Sequence, residues 1–138
     1  MPTKSPAGPG STPTHRPAVL IVEDDRDVAL TINDVVEDSG YRALCAGNGR
    51  EALSLLEAEA PALMLIDLFM PVMNGVELLK VIKKSPKLSA IPRVIMTAAN
   101  DQMIGVREDV TVLYKPVDFD ALTRLLQMYC GAHAAHAQ

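Results

Sequence analysis

The chain has 138 residues, 49% of them apolar, 22% charged and only 4% aromatic, with a formal net charge of −4. That balance suits one ordinary globular domain and argues against a disordered or fibrous chain; no stretch approaches the about 18 apolar residues of a membrane span. Cys45 and Cys130 are too few for a disulfide framework and fit a reducing compartment, and a chain of this length can bury about two thirds of its unfolded surface without a metal or disulfide staple.

Residues 1–16 contain Pro2, Pro6, Pro9 and Pro13, the bases Lys4 and Arg16, and no acid. They read as a flexible tail without the apolar run of a signal peptide, so a cytoplasmic location is expected. The remainder holds 11 basic and 17 acidic residues, net −6, which argues against a general nucleic-acid binder. The domain is expected over 17–130, followed by a short tail over 131–138, with no DNA-binding or catalytic output domain after the last helix.

Four short runs at 18–22, 63–66, 94–96 and 110–114 are apolar throughout, the signature of strands buried on both faces; a weaker fifth strand is expected at 41–46, after the helix-ending Gly40. Helical stripes lie between them. Val28, Ile32, Val35 and Val36 form the first, Leu53 and Leu56 belong to a second after the cap Asn48, and Val76, Leu79 and Ile82 form a third. Phe119, Leu122, Leu126 and Tyr129 form the last, after the cap Asp118. Between Thr97 and Lys115 there is room for only about two helical turns around 101–108, with Gly105 in their middle, so a short or poorly ordered fourth helix is expected. This alternation predicts right-handed crossovers and a parallel sheet with helices on both faces. Met64, Met70, Met73, Met96, Met103 and Met128 read as core filler, and Cys45 as an inert strand residue.

Charge is uneven. Glu23, Asp24, Asp25, Asp27, Asp34, Glu37 and Asp38 crowd one stretch, whereas Lys80, Lys83, Lys84, Lys87 and Arg93 occupy another with no acid between them. The basic group suits a solvated helix end or a partner-binding patch.

Ligands of an open parallel sheet bind beyond the carboxyl ends of its strands. Those ends carry Glu23-Asp24-Asp25, Asp67, Thr97 and Lys115-Pro116. Carboxylates brought together from two strands repel, and a hard divalent cation relieves them. Magnesium takes one or two carboxylates plus a substrate phosphate, which suits Asp24 and Asp67 with Glu23 behind them; manganese would serve the same ligands. A carboxylate can also attack a phosphoryl group to form an aspartyl phosphate, whose oxygens need partners of the type of Lys115 and Thr97. The competing reading is that the first three acids cap a helix, Asp67 caps a turn, and Thr97 and Lys115 merely end strands.

The segments Val19-Leu-Ile-Val-Glu-Asp-Asp25, Leu65-Ile-Asp67-Leu-Phe-Met-Pro71 through Asn74-Gly75, Met96-Thr97-Ala98 and Tyr114-Lys115-Pro116 together resemble the receiver domain of bacterial two-component response regulators. The resemblance implies a flavodoxin-like five-stranded sheet of order 2-1-3-4-5, and phosphoryl transfer to Asp67 from a sensor histidine kinase or histidine phosphotransfer protein, with onward signalling by protein contact or further phosphotransfer. It further implies that Asp24 and Asp67 ligate the metal with the Phe69 backbone carbonyl, that Glu23 is the outer acid, that Thr97 and Lys115 bind the phosphoryl oxygens, and that the Lys115-Pro116 bond is cis. Two departures stand out. The position of the usual switch aromatic holds Val112, with Tyr114 two residues on and on the same side of the strand, and the segment between Thr97 and Lys115 is short.

Other classes fit less well. A phosphoaspartyl hydrolase would want a carboxyl two residues after its nucleophile, where Phe69 stands, and a flavin carrier would want a Gly/Ser/Thr-rich phosphate loop after the first strand, where acids stand. The remaining alternative is a receiver-like protein-binding module that works without phosphorylation, whose usual mark is a lost acceptor, acid pair or lysine; none is lost here.

Overall fold

A computed structural model describes residues 16–98 and 111–131. Along the chain these form β1 (Ala18–Val22), α1 (Arg26–Asp38), β2 (Arg42–Ala46), α2 (Gly49–Ala58), β3 (Leu63–Asp67), α3 (Gly75–Lys84), the single turn α4 (Pro86–Ser89), β4 (Arg93–Ala98), β5 (Thr111–Lys115) and α5 (Phe119–Cys130). The sheet is parallel in the order β2-β1-β3-β4-β5, as expected. The fourth helix anticipated around 101–108 lies outside the described residues, as do the tails 1–15 and 132–138.

Strand alternation builds two cores. Leu20, Val22, Met64, Ile66 and Ile95 face α2, α3 and α4, while Val19, Ile21, Leu63, Leu65, Val94, Met96 and Leu113 face α1 and α5. Burying both faces explains the unbroken apolarity of β1 and β3, every residue of which is buried. No helix among the described residues is long and apolar enough to cross a membrane.

Each long helix starts on a side-chain cap. Asp25 accepts from the amides of Asp27 and Val28, Asn48 from Glu51, Asn74 from Glu77 in a reciprocal capping box, and Asp118 from Asp120 and Ala121. After the Ser39 C-cap, Gly40 adopts φ 94° and the amides of Gly40 and Tyr41 close onto the carbonyls of Glu37 and Val36, the pattern of a Schellman stop.

Three readings of the sequence need correction. The run after Ile82 is not one solvated helix end: Ser85 stops α3 and caps α4, whose first residue is Pro86. Met128 is 71% exposed and so is not core, and Phe119, placed on the core stripe of the last helix, is half exposed because it precedes the point where α5 meets the sheet at Leu122 and Leu126. Met64, Met70 and Met96 are buried as expected.

Candidate functional site

The carboxyl edge of the sheet gathers the charged residues. Continuous with β1, Glu23 donates its backbone amide to the carbonyl of Ala46, which holds it at the strand end and buries its side chain. β3 delivers Asp67, also buried, and β5 delivers Lys115. Lys115 Nζ lies 2.9 Å from Glu23 Oε1 and 3.2 Å from Asp67 Oδ2, so one ammonium bridges acids from two strands. Oxygens of Glu23, Asp24 and Asp67 lie within 4.8 Å of one another, with Asp24 exposed and the other two buried.

Within the acidic triplet the two readings divide residue by residue. Asp25 is the helix cap, its Oδ1 accepting from Asp27 at 3.0 Å and Val28 at 3.2 Å, while its own amide donates to Glu23 Oε2 at 3.2 Å. Asp24 is left to face solvent beside the buried pair.

Burial raises the pKa of Glu23 from 4.5 to about 7; the hydrogen bond from Lys115 opposes this and the charge of Asp67 adds to it. For Lys115, burial favours the neutral amine, but the two acids outweigh it and hold its pKa above the usual lysine value. Three acids facing one ammonium leave an excess of negative charge among oxygen donors, a donor set that suits a hard cation such as magnesium.

Thr97 is buried on β4, whose neighbouring residue Met96 pairs with Asp67, and Thr97 itself pairs with Tyr114 of β5. The amide of Phe69 donates to Asp67 Oδ1 at 3.4 Å, and the residue is 53% exposed. The Lys115-Pro116 bond is cis. On β5, Val112 is half-buried, Leu113 buried and Tyr114 exposed, so Tyr114 stands on the outer side of the strand, as alternation predicted.

Two features of the loop after Asp67 escape a reading of the sequence. Gly75 leaves no room for a side chain: a Cβ there would lie 2.3 Å from the Asp67 carbonyl oxygen. Val72 sits at φ 68°, in the left-handed region that a β-branched residue rarely enters, and is 72% exposed. The composition hinted only at the first, through a glycine following the cap Asn74.

The family model of the response regulator receiver domain matches residues 19–127. The chain belongs to the receiver domain family. It is 39% identical to an uncharacterized 14.6 kDa protein from Leptolyngbya boryana over 83% of this chain and 90% of that one. It is 31% identical to sporulation initiation phosphotransferase F of Bacillus subtilis, over 80% of this chain and 91% of the relative. Among solved structures, the receiver domain of the yeast response regulator Ssk1, crystallised with the histidine phosphotransfer protein Ypd1, superposes with a TM-score of 0.73 at 25% identity, covering 88% of this receiver and 94% of that chain. Receivers are signalling modules of two-component systems, and this one carries the acidic cluster at the expected edge.

Beside the cluster runs a groove of about 270 Å³ between Asp27, Val28, Thr31 and Ile32 of α1 and the segment from Lys115 to Phe119. Lys115 therefore borders both the acids and the groove.

Proposed function

We propose that this receiver accepts a phosphoryl group on Asp67 from a sensor histidine kinase or a histidine phosphotransfer protein, and passes the signal on by protein contact or further phosphotransfer. The observation that carries this reading is the bridge of Lys115 between Glu23 and Asp67 with Asp24 alongside, because it supplies a nucleophile and a cation-binding acid set at one point.

An Asp67 carboxylate oxygen attacks phosphorus in line with the leaving imidazole nitrogen of the donor. The P–N bond breaks as the P–O bond forms, and the bonding electron pair returns to the imidazole. Lys115 Nζ, already 3.2 Å from Asp67 Oδ2, exchanges part of its carboxylate contact for a phosphoryl oxygen, and Thr97 on the adjoining strand supplies a hydroxyl to another. Asp24, Asp67 and the Phe69 carbonyl, with Glu23 as the outer acid, would hold magnesium, or manganese, which when bound screens the repulsion between the carboxylates and the incoming phosphoryl oxygens. The groove along α1 gives the donor's histidine-bearing element a surface that ends at Lys115. The yeast receiver crystallised with its phosphotransfer protein supports a partner of this class.

The test uses the full chain with acetyl phosphate or a cognate kinase, and magnesium. Wild type is expected to take up one labelled phosphoryl group, whereas Asp67→Asn, an isosteric change, keeps the fold and takes up none. Undiminished label in that variant would move the acceptor elsewhere. Absence of label in wild type with every donor would favour a binding module that works without phosphorylation.

A further inference from the structure

We propose that the groove between α2 and the α3–α4 corner is a docking site for an acidic, amphipathic segment of a partner protein. The groove measures about 360 Å³ and is lined by Leu53, Leu56 and Glu57 of α2, Val81 of α3, and Lys87 and Leu88 of α4. Its floor is apolar, and Val81, 38% exposed, stands at its edge as an aliphatic side chain on a helix surface otherwise rich in lysine.

The charge of the rim selects the partner. Lys80, Lys83, Lys84 and Lys87 are all exposed, and among the described residues none lies within ion-pair distance of an acid. Lys84 follows Val81 by three positions and so shares its face, while Glu77, four positions before Val81, is engaged in the capping box with Asn74. Lys83 and Lys84 stand in the last turn of α3, where they also complement its C-terminal dipole. Lys87, beyond the α3 stop, forms part of the groove wall. This cationic rim belongs to a chain of net charge −4, so it is a local feature rather than a general property of the surface.

The shape argues for a peptide segment rather than a bilayer. A concave slot flanked by two helices admits protruding Leu-like side chains at i, i+3 and i+4 spacing, whereas a flat lipid surface reaches only its rim. Glu57 on the α2 wall adds polarity: acids of the segment must run along the α3–α4 wall, and its neutral or basic residues along α2. α3 also links this groove to the acidic edge, since its first residue, Gly75, packs on the carbonyl of Asp67.

The experiment selects random peptides long enough for about four helical turns on the purified full chain, then measures the enriched sequences by fluorescence anisotropy. Enriched peptides should be acidic with large apolar residues at helical spacing. Binding should weaken about tenfold or more in Lys84→Glu/Lys87→Glu and fall as salt rises. Val81→Ser, which leaves the charge alone, should weaken binding severalfold while circular dichroism confirms the fold. Enriched peptides without acids, or acidic peptides that bind Val81→Ser and the charge-reversed chain as well as wild type, would overturn the proposal. So would lysine-dependent sedimentation with phosphatidylglycerol vesicles in the absence of any enriched peptide, or a dimer that Lys84→Glu/Lys87→Glu dissolves.

Discussion

The two loops that deliver acids to the carboxyl edge are built on opposite principles. The turn after β1 is relaxed: Asp25 caps α1, its amide supports Glu23, and three local hydrogen bonds of 3.0 to 3.2 Å fix the triplet. The loop after β3 is crowded. Gly75 is pressed against the Asp67 carbonyl, Val72 is held at φ 68°, and the Met73 carbonyl reaches across to accept from the amide of Gly49 at 2.8 Å. One acid set is thus placed by side chains satisfying amides, the other by backbone close to its steric limits. Placement by hydrogen bonds tolerates small shifts, whereas placement by crowding fixes Asp67 at the cost of local strain.

The largest effect expected from this contrast is at Gly75. Gly75→Ala puts a methyl group 2.3 Å from backbone that cannot rotate away, so α3 or the strand end must move. A loss of about 2 to 3 kcal/mol in urea unfolding is expected, with slower phosphorylation of Asp67. An unchanged midpoint would show that the β3 loop is as forgiving as the β1 turn.

Protonation tests the other loop. The folded-state pKa of Glu23, about 7, exceeds its ordinary 4.5, so the folded metal-free chain holds a proton across that interval that the unfolded chain releases. The contribution of Glu23 to stability is therefore present in full below pH 4.5 and lost as pH rises through 7. Magnesium affinity runs the other way, because the cation needs the carboxylate. Lowering pH from 8 to 6 should weaken magnesium binding about tenfold in wild type, and much less in Glu23→Gln. Calorimetric titration at the two pH values gives both numbers, and equal pH dependence in the two proteins would remove Glu23 as the proton carrier.

How much of this was legible in the sequence depended on whether the signal was local. β1 and β3 showed themselves because burial on both faces makes their residues uniformly apolar, and the caps Asn48 and Asp118 stood directly before helical stripes. The acids, Thr97 and Lys115 were found because strand ends of a parallel sheet share an edge. The division of the triplet between cap and cation site came only from the resemblance and not from residue type, since Asp25 and Asp24 are alike and turn geometry alone makes Asp25 the cap. α4 was missed although Ser85-Pro86 is a helix-start pair, because the flanking lysines also suit the end of α3. Periodicity marked the core face of α5 without setting where its cover ends, hence Phe119 and Met128. The strain at Val72 and the crowding at Gly75 depend on backbone folded back from elsewhere and leave no trace in spacing.

Smaller effects of opposite sign separate the loops again. Asp25→Ala removes acceptors from two amides and should destabilise by about 1 kcal/mol. Val72→Asn places a residue that tolerates the left-handed region at φ 68°, on an exposed side chain with little packing to lose, and should stabilise by about 1 kcal/mol. Thermal melts of the two variants should move in opposite directions. A destabilised Val72→Asn would mean that the crowded loop is held by contacts of the valine itself.

The smallest effect concerns what each loop presents to water. Asp24, from the relaxed turn, is exposed and polar; Phe69, from the crowded loop two residues past the acceptor, is apolar and 53% exposed. An aromatic side chain offers no hydrogen bond to a water aligned for attack on phosphorus, and its bulk narrows the approach. A phosphoryl group on Asp67 should therefore be comparatively long-lived. Phe69→Asn gives that position an amide able to hold water and opens the mouth, while the backbone amide that reaches Asp67 Oδ1 is kept. Loss of label in a chase without donor should speed up about threefold, a barrier change of roughly 0.65 kcal/mol. Decay at the wild-type rate or slower would show that the ring does not govern access and that the backbone of the crowded loop alone controls the approach of water.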